Sequence, residues 1–66
     1  MEIRINGEKR TLDSPLTVTG LLQSLNINPR SVVVERNLEI IPRSRMEREI
    51  IQHADCIEII RLVGGG

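Results

Sequence analysis

In a chain of 66 residues, few side chains could make or break bonds. His53 is the one histidine and Cys56 the one cysteine. A thiol nucleophile needs a base that reaches the sulfur and a third group that orients that base. Alternation along a strand places Cys56 on the face opposite Ile57, with His53 in the turn before it. Nothing in the flanking sequence shapes a substrate pocket around the two. The pair reads as a turn histidine beside a small, partly exposed thiol. A structural zinc site wants four Cys or His ligands in close constellation. A phosphate cradle wants glycines between a strand and a helix. The chain offers neither, and its acidic residues are scattered singly among basic ones, as on a solvated surface. No catalytic residue, no metal ligand and no bound cofactor is expected.

That leaves RLVGGG, residues 61 to 66. The plain reading of three such glycines is a frayed end or a leftover linker. A chemical reading is a thin arm bearing an α-carboxylate at Gly66. Glycine has no Cβ, so Gly64 and Gly65 can thread a channel that any side chain would block. A carboxylate is a poor electrophile until it gains a leaving group. Joining it to AMP supplies one, and attack by a sulfur donor then leaves a thiocarboxylate at Gly66. In that scheme the domain contributes reach and recognition, while partners contribute ATP and the chemistry.

The arm needs a body. Ile3 and Ile5 alternate with Glu2 and Arg4, the pattern of a half-buried strand. Asn6-Gly7 favours φ > 0 at both turn positions and predicts a hairpin, with its return strand from Lys9 to Leu12. Asp13-Ser14-Pro15 breaks the pattern. Thr17 can cap a helix carrying Val18, Leu21, Leu22 and Leu25 on one face. Gly20 weakens that helix by up to about 1 kcal/mol relative to alanine, and Asn26-Ile27-Asn28-Pro29 ends it, proline being hostile to continuation. Ser31 to Arg36 reads as a β-branched strand, turned by Asn37 into a short partner from Leu38 to Ile41. Ser44 to Glu47 fits a capping box and predicts a brief helical turn. Ile50 and Ile51 form a short edge strand or a packed loop, and CIEIIRLV, residues 56 to 63, is the last strand. Hairpin, helix across a sheet and long final strand give an α+β fold, a β-grasp roll with one main helix on a small mixed sheet. Residues 1–63 are its single domain and 64–66 its tail.

Composition excludes several classes of partner. Nine Lys and Arg balance nine Asp and Glu, and Phe, Tyr and Trp are absent. A basic excess and aromatic stacking platforms, which nucleic-acid binders use, are therefore missing. No apolar run approaches the roughly 20 residues that cross a bilayer. The start, MEIRINGEK, lacks the order of a signal peptide. The expected compartment is the cytoplasm.

Four stretches carry a wider likeness: Asn6-Gly7-Glu8; T-V-x-x-L-L at Thr17 to Leu22; VVVERNLEIIPRS at Val32 to Ser44; and D-x-I-E-I-I-R-x-V-G-G-G at Asp55 to Gly66. Over nearly its whole length the sequence resembles the sulfur carriers of thiamine biosynthesis, a ubiquitin-like β-grasp family. The resemblance implies that Gly66 is adenylated by an enzyme related to ubiquitin E1 enzymes, becomes a thiocarboxylate and delivers sulfur to thiazole synthase. A cysteine desulfurase would be the indirect source of that sulfur, and the free carrier would be a monomer. The sequence departs from many relatives at Met46, where they carry an aromatic residue, at Ala54, where they carry glycine, and at Cys56. Met46 is adaptable enough to fill a core gap, and Cys56 reads as a plain strand residue. Ile60 and Leu62, on the side away from the helix and beside Arg61 and Val63, are the expected start of a partner patch. Two other readings remain: the related small subunit of molybdopterin synthase, and a β-grasp interaction module with an unreactive tail.

Overall fold

The computed structural model describes residues 1–63. Strand β1 (Glu2–Ile5) buries Ile3 and Ile5 and exposes Glu2 and Arg4. Asn6 and Gly7 have φ of 50° and 83°, the left-handed pair that a tight hairpin demands. The return strand β2 (Glu8–Thr11) starts one residue earlier than expected and is exposed throughout. Leu12 lies just past it, where its N–H donates to the Met1 carbonyl at 2.8 Å.

Helix α1 (Val18–Ser24) begins as predicted, the Thr17 hydroxyl accepting from the Gly20 N–H at 3.0 Å. A Cβ on Gly20 would lie 3.2 Å from that hydroxyl oxygen. The glycine thus trades helix propensity for a close cap. The helix stops at the head of the expected Asn26-to-Pro29 segment, though asparagine rather than proline does the stopping. Asn26 turns left-handed at φ 59°, its N–H bonding to the Gln23 carbonyl and the Ile27 N–H to that of Leu22. This is a Schellman motif with asparagine in glycine's usual place, and it halts the helix before Pro29 is reached. Pro29 instead opens a 3₁₀ turn (Pro29–Ser31), so Ser31 precedes rather than begins strand β3 (Val32–Arg36).

Strand β4 (Glu39–Ile41) is shorter than the expected Leu38 to Ile41 because Asn37 and Leu38 are both left-handed, at φ 53° and 71°. They form a second tight turn. The capping box at Ser44 and Glu47 does not form. Pro42, with its fixed φ, leads straight into a 3₁₀ turn over Arg43–Arg45, so Ser44 sits inside the turn rather than ahead of it and no side chain caps it. Ile50 makes an isolated bridge to Thr17, and Ile51 is buried. The last strand, β5 (Cys56–Arg61), ends two residues short of Val63.

The sheet order is β2-β1-β5-β3-β4, with β1 and β5 parallel and the other pairs antiparallel. The longest strand is therefore central, which gives the β-grasp arrangement its element order predicts. Val18, Leu21 and Leu22 of α1 join Ile3, Ile5, Val32, Val34 and Ile57 of the sheet in one aliphatic core, with Met46 and Ile51 closing it. Each such side chain contributes about 1.5–3 kcal/mol on burial. In a domain of this size only about 60% of the chain surface is buried, so few of these are dispensable.

Ala54 holds φ 72° in the turn before β5, its N–H bonded to the Glu2 carbonyl at 2.7 Å. A non-glycine residue there costs about 1–2 kcal/mol, partly offset by glycine's greater entropy loss on folding. Ala54→Gly is therefore expected to stabilise the domain by about 0.5–1 kcal/mol. In a chain this short that raises the melting temperature by about 3–6 °C, read by thermal unfolding. An unchanged or lower midpoint would contradict it.

Candidate functional site

The glycines at 64 to 66, assigned to modification and threading, lie outside the described residues. The structure instead shows how the strand in front of them is held. On one side β5 pairs with β3 from Arg36↔Ile57 to Val32↔Arg61, and the Leu62 N–H still reaches the Ser31 carbonyl at 3.0 Å. On the other side the parallel ladder with β1 stops at Ile5↔Ile57. There the Asn6 side chain takes over: its Oδ1 accepts from the Ile59 N–H at 2.8 Å and its Nδ2 donates to the Ile59 carbonyl at 3.4 Å.

Asn37 does the same where β5 begins. Its Oδ1 accepts from the Cys56 N–H at 2.9 Å, and its own N–H donates to the Cys56 carbonyl at 2.8 Å. Two side-chain amides thus stand in for strand backbone at the two turns. From sequence alone both asparagines are expected only to form turns. The positive φ expected at Asn6 is the available hint, since a left-handed asparagine turns its amide toward neighbouring backbone.

The outer face of the sheet, away from α1, exposes two of the four residues expected to meet a partner, Ile60 and Leu62. Ile60 and Leu62 are 45% and 52% exposed, and Val63 is 95% exposed. Val33 is directly opposite Ile60. Across the same face Glu35 pairs with Ile40 on β4, which is also exposed, and with Glu58 on β5. Arg61 belongs to the other face by alternation, beside Ile59 and the groove next to α1. The four expected interface residues are thus split between two faces. Leu38, missed by the sequence reading, stands 92% exposed on its left-handed turn. Glu35 and Glu58 lie directly opposite one another with no ion pair among the described residues. Facing like charges of this kind cost stability, and a cationic partner would relieve them.

His53 and Cys56 line one shallow groove with Glu2, Arg4 and Lys9. The His53 Nδ1 accepts from the Glu2 N–H at 3.0 Å. A neutral ring so bonded carries its proton on Nε2, which leaves no lone pair for the Cys56 thiol. Among the described residues no cluster of His, Cys, Asp or Glu is placed to hold a metal ion. No helix there is long and apolar enough to cross a membrane.

Comparison with known proteins settles the relationship. The model of the ThiS family matches residues 3–66. The chain belongs to that family. The solved ThiS of Geobacter metallireducens, a thiamine biosynthesis protein, superposes with a TM-score of 0.87 at 32% identity, over 100% of both chains. The β-grasp fold read from element order is therefore that of a known ThiS structure. The sulfur carrier protein ThiS of Bacillus subtilis is 42% identical over 50 residues, 76% of each chain. All 66 residues also align, at 42% identity, with the thiazole synthase of Paramagnetospirillum magneticum. The chain spans only 20% of that protein's length.

Proposed function

We propose that this chain carries sulfur for assembly of the thiamine thiazole, with the Gly66 carboxylate as its reactive group. An E1-like activating enzyme spends ATP to join that carboxylate to AMP, releasing pyrophosphate. A sulfide equivalent, drawn ultimately from a cysteine desulfurase, then displaces AMP and leaves a thiocarboxylate. Thiazole synthase accepts the sulfur. The observation that carries this reading is the reach of the family match, which runs to Gly66 itself. Two further facts support it. A whole copy of this sequence type occurs within a polypeptide named thiazole synthase, which favours that enzyme as a partner. A strand held by its β3 side as far as Leu62, whose N–H reaches the Ser31 carbonyl, carries the chain up to the glycines. The test is intact-mass measurement after incubation with ATP, the activating enzyme and a sulfur source. A gain equal to one oxygen-to-sulfur exchange at the terminus is expected. Its absence overturns the reading.

The outer face provides recognition in this scheme. Ile60→Asp is expected to weaken thiazole synthase binding at least tenfold while lowering the melting temperature by only a few degrees, because the side chain is already half exposed. Titration calorimetry and thermal unfolding on the same variant compare the two effects. A large loss of stability with normal binding would put Ile60 in the core instead.

A further inference from the structure

Hydrogen bonding across β5 leaves one stretch of it open. Cys56, Glu58, Ile60 and Leu62 direct their backbone groups toward β3, as the Asn37-to-Cys56 and Leu62-to-Ser31 bonds fix. Ile57 and Ile59 direct theirs toward β1 and Asn6. Strand alternation aims the Arg61 N–H and C=O the same way, one step beyond Asn6. There β1 has already turned off at Asn6-Gly7, and among the described residues neither group meets a partner. A free donor and acceptor on the rim of a sheet form a template for one more strand.

The ground beside this opening is shaped for a side chain. On the α1 side lies an open groove of about 320 Å³. Leu25, Ile27 and Ile59, all half-buried, floor it, and Arg10, Arg61 and Glu8 stand around it. In a paired strand, the residue opposite Arg61 projects to the same face as the Arg61 side chain. It would therefore enter this groove, while its neighbours would lie on the outer face along Ile60 and Leu62. Two arginines against one glutamate leave the rim net positive.

We infer that Arg61 is a β-addition site: an extended segment of the thiazole synthase pairs with its outward N–H and C=O. That segment places an apolar side chain in the groove and a carboxylate near Arg10 and Arg61. The added strand would run beside the last residues before the glycines, so docking would also align the arm. This rests on the sulfur-carrier reading above, with thiazole synthase as the enzyme that receives the tail.

The test separates backbone from side chain at one position. Arg61→Ala keeps the N–H, whereas Arg61→Pro removes it without touching the β3 ladder, because proline is tolerated where the N–H faces away from the sheet. Titration of both variants with the same organism's thiazole synthase is expected to show the proline variant binding at least tenfold more weakly than the alanine variant. Amide hydrogen exchange on the unaltered chain is a second readout, independent of whether the proline variant folds. The Arg61 N–H is expected to slow at least tenfold in the saturated complex. Equal binding by the two variants, when both are folded, or unchanged exchange in a complex that forms, overturns the β-addition site and leaves the carrier reading standing. Failure of the unaltered chain to bind the synthase overturns both. Slowed exchange in the free chain with rising concentration, which would mean a second copy occupies the edge, also overturns it.

Discussion

Removing Gly66, or extending the chain beyond it, is expected to abolish sulfur loading while leaving the fold intact. One residue of extended chain spans about 3.3–3.6 Å. A reacting group misplaced by about 1 Å already loses on the order of 10²-fold in rate. Deletion draws the carboxylate back by several times that distance from the point of adenylation. Extension does worse, since it turns the Gly66 carboxylate into an amide that cannot be joined to AMP. Gly65→Leu is expected to come close to both, because a branched side chain blocks a passage that glycine can enter. The core cannot register these changes. Every residue packed into it precedes Ile60 in the chain. Intact mass after incubation with the activating enzyme, ATP and a sulfur source reads the loading, and thermal unfolding reads the fold. Normal loading of an extended chain would show that Gly66 is not the acceptor.

Local pattern carried the architecture a long way. The 18, 21, 22, 25 spacing located α1 and its buried face, and Asn6-Gly7 located the first hairpin. The alternation of CIEIIR placed Ile57 inward and Ile60 outward. In each case the signal is a period or a turn preference, set by neighbours in sequence. What escaped depends on residues far apart. Nothing near Asn6 in sequence says that its amide will finish a ladder with Ile59, 53 positions away. Leu38 could not be read as left-handed either, because leucine disfavours that conformation. It is the second residue of a two-residue turn whose first, Asn37, is bonded to Cys56 through both backbone and side chain. The capping box failed for a third reason: Pro42 starts the 3₁₀ turn at Arg43, so Ser44 falls inside it and cannot cap. The site itself divided the same way. The glycine motif is a short run of neighbours that the sequence offers directly as a chemical expectation, while the open edge at Arg61 exists only once β1 and β5 are paired.

The same long-range logic makes Asp55 a polar residue whose loss is expected to cost as much stability as that of a core side chain. It is 6% exposed, the one buried charged side chain among the described residues. Its Oδ2 accepts from the Gln52 N–H and from Arg36 Nε, both at 2.7 Å, and its Oδ1 accepts from Asn37 Nδ2 at 3.0 Å. One carboxylate thereby ties the start of β5 to the end of β3, to the second tight turn and to the loop before it. Asp55→Ala would leave these donors facing a gap. Removing one partner of a buried pair costs about 3–5 kcal/mol. Because Glu49 still pairs with Arg36, the lower end applies, about 3 kcal/mol, which in so small a domain lowers the melting temperature by more than about 10 °C.

The pH dependence has a definite sign. Burial raises the Asp55 pKa, but the Gln52 N–H, the Asn37 amide and the Arg36 guanidinium outweigh it and hold the carboxyl below its ordinary value. A carboxyl whose folded pKa is depressed contributes its full stability above the unfolded value of about 4. That contribution fades as pH falls through the folded pKa. The unaltered chain is therefore expected to lose stability on acidification below about pH 4, and the Asp55→Ala chain to lose distinctly less over the same interval. Denaturant unfolding of both chains at about pH 7 and about pH 3 measures the difference. Parallel losses would mean that Asp55 does not hold the loop as its bonds indicate.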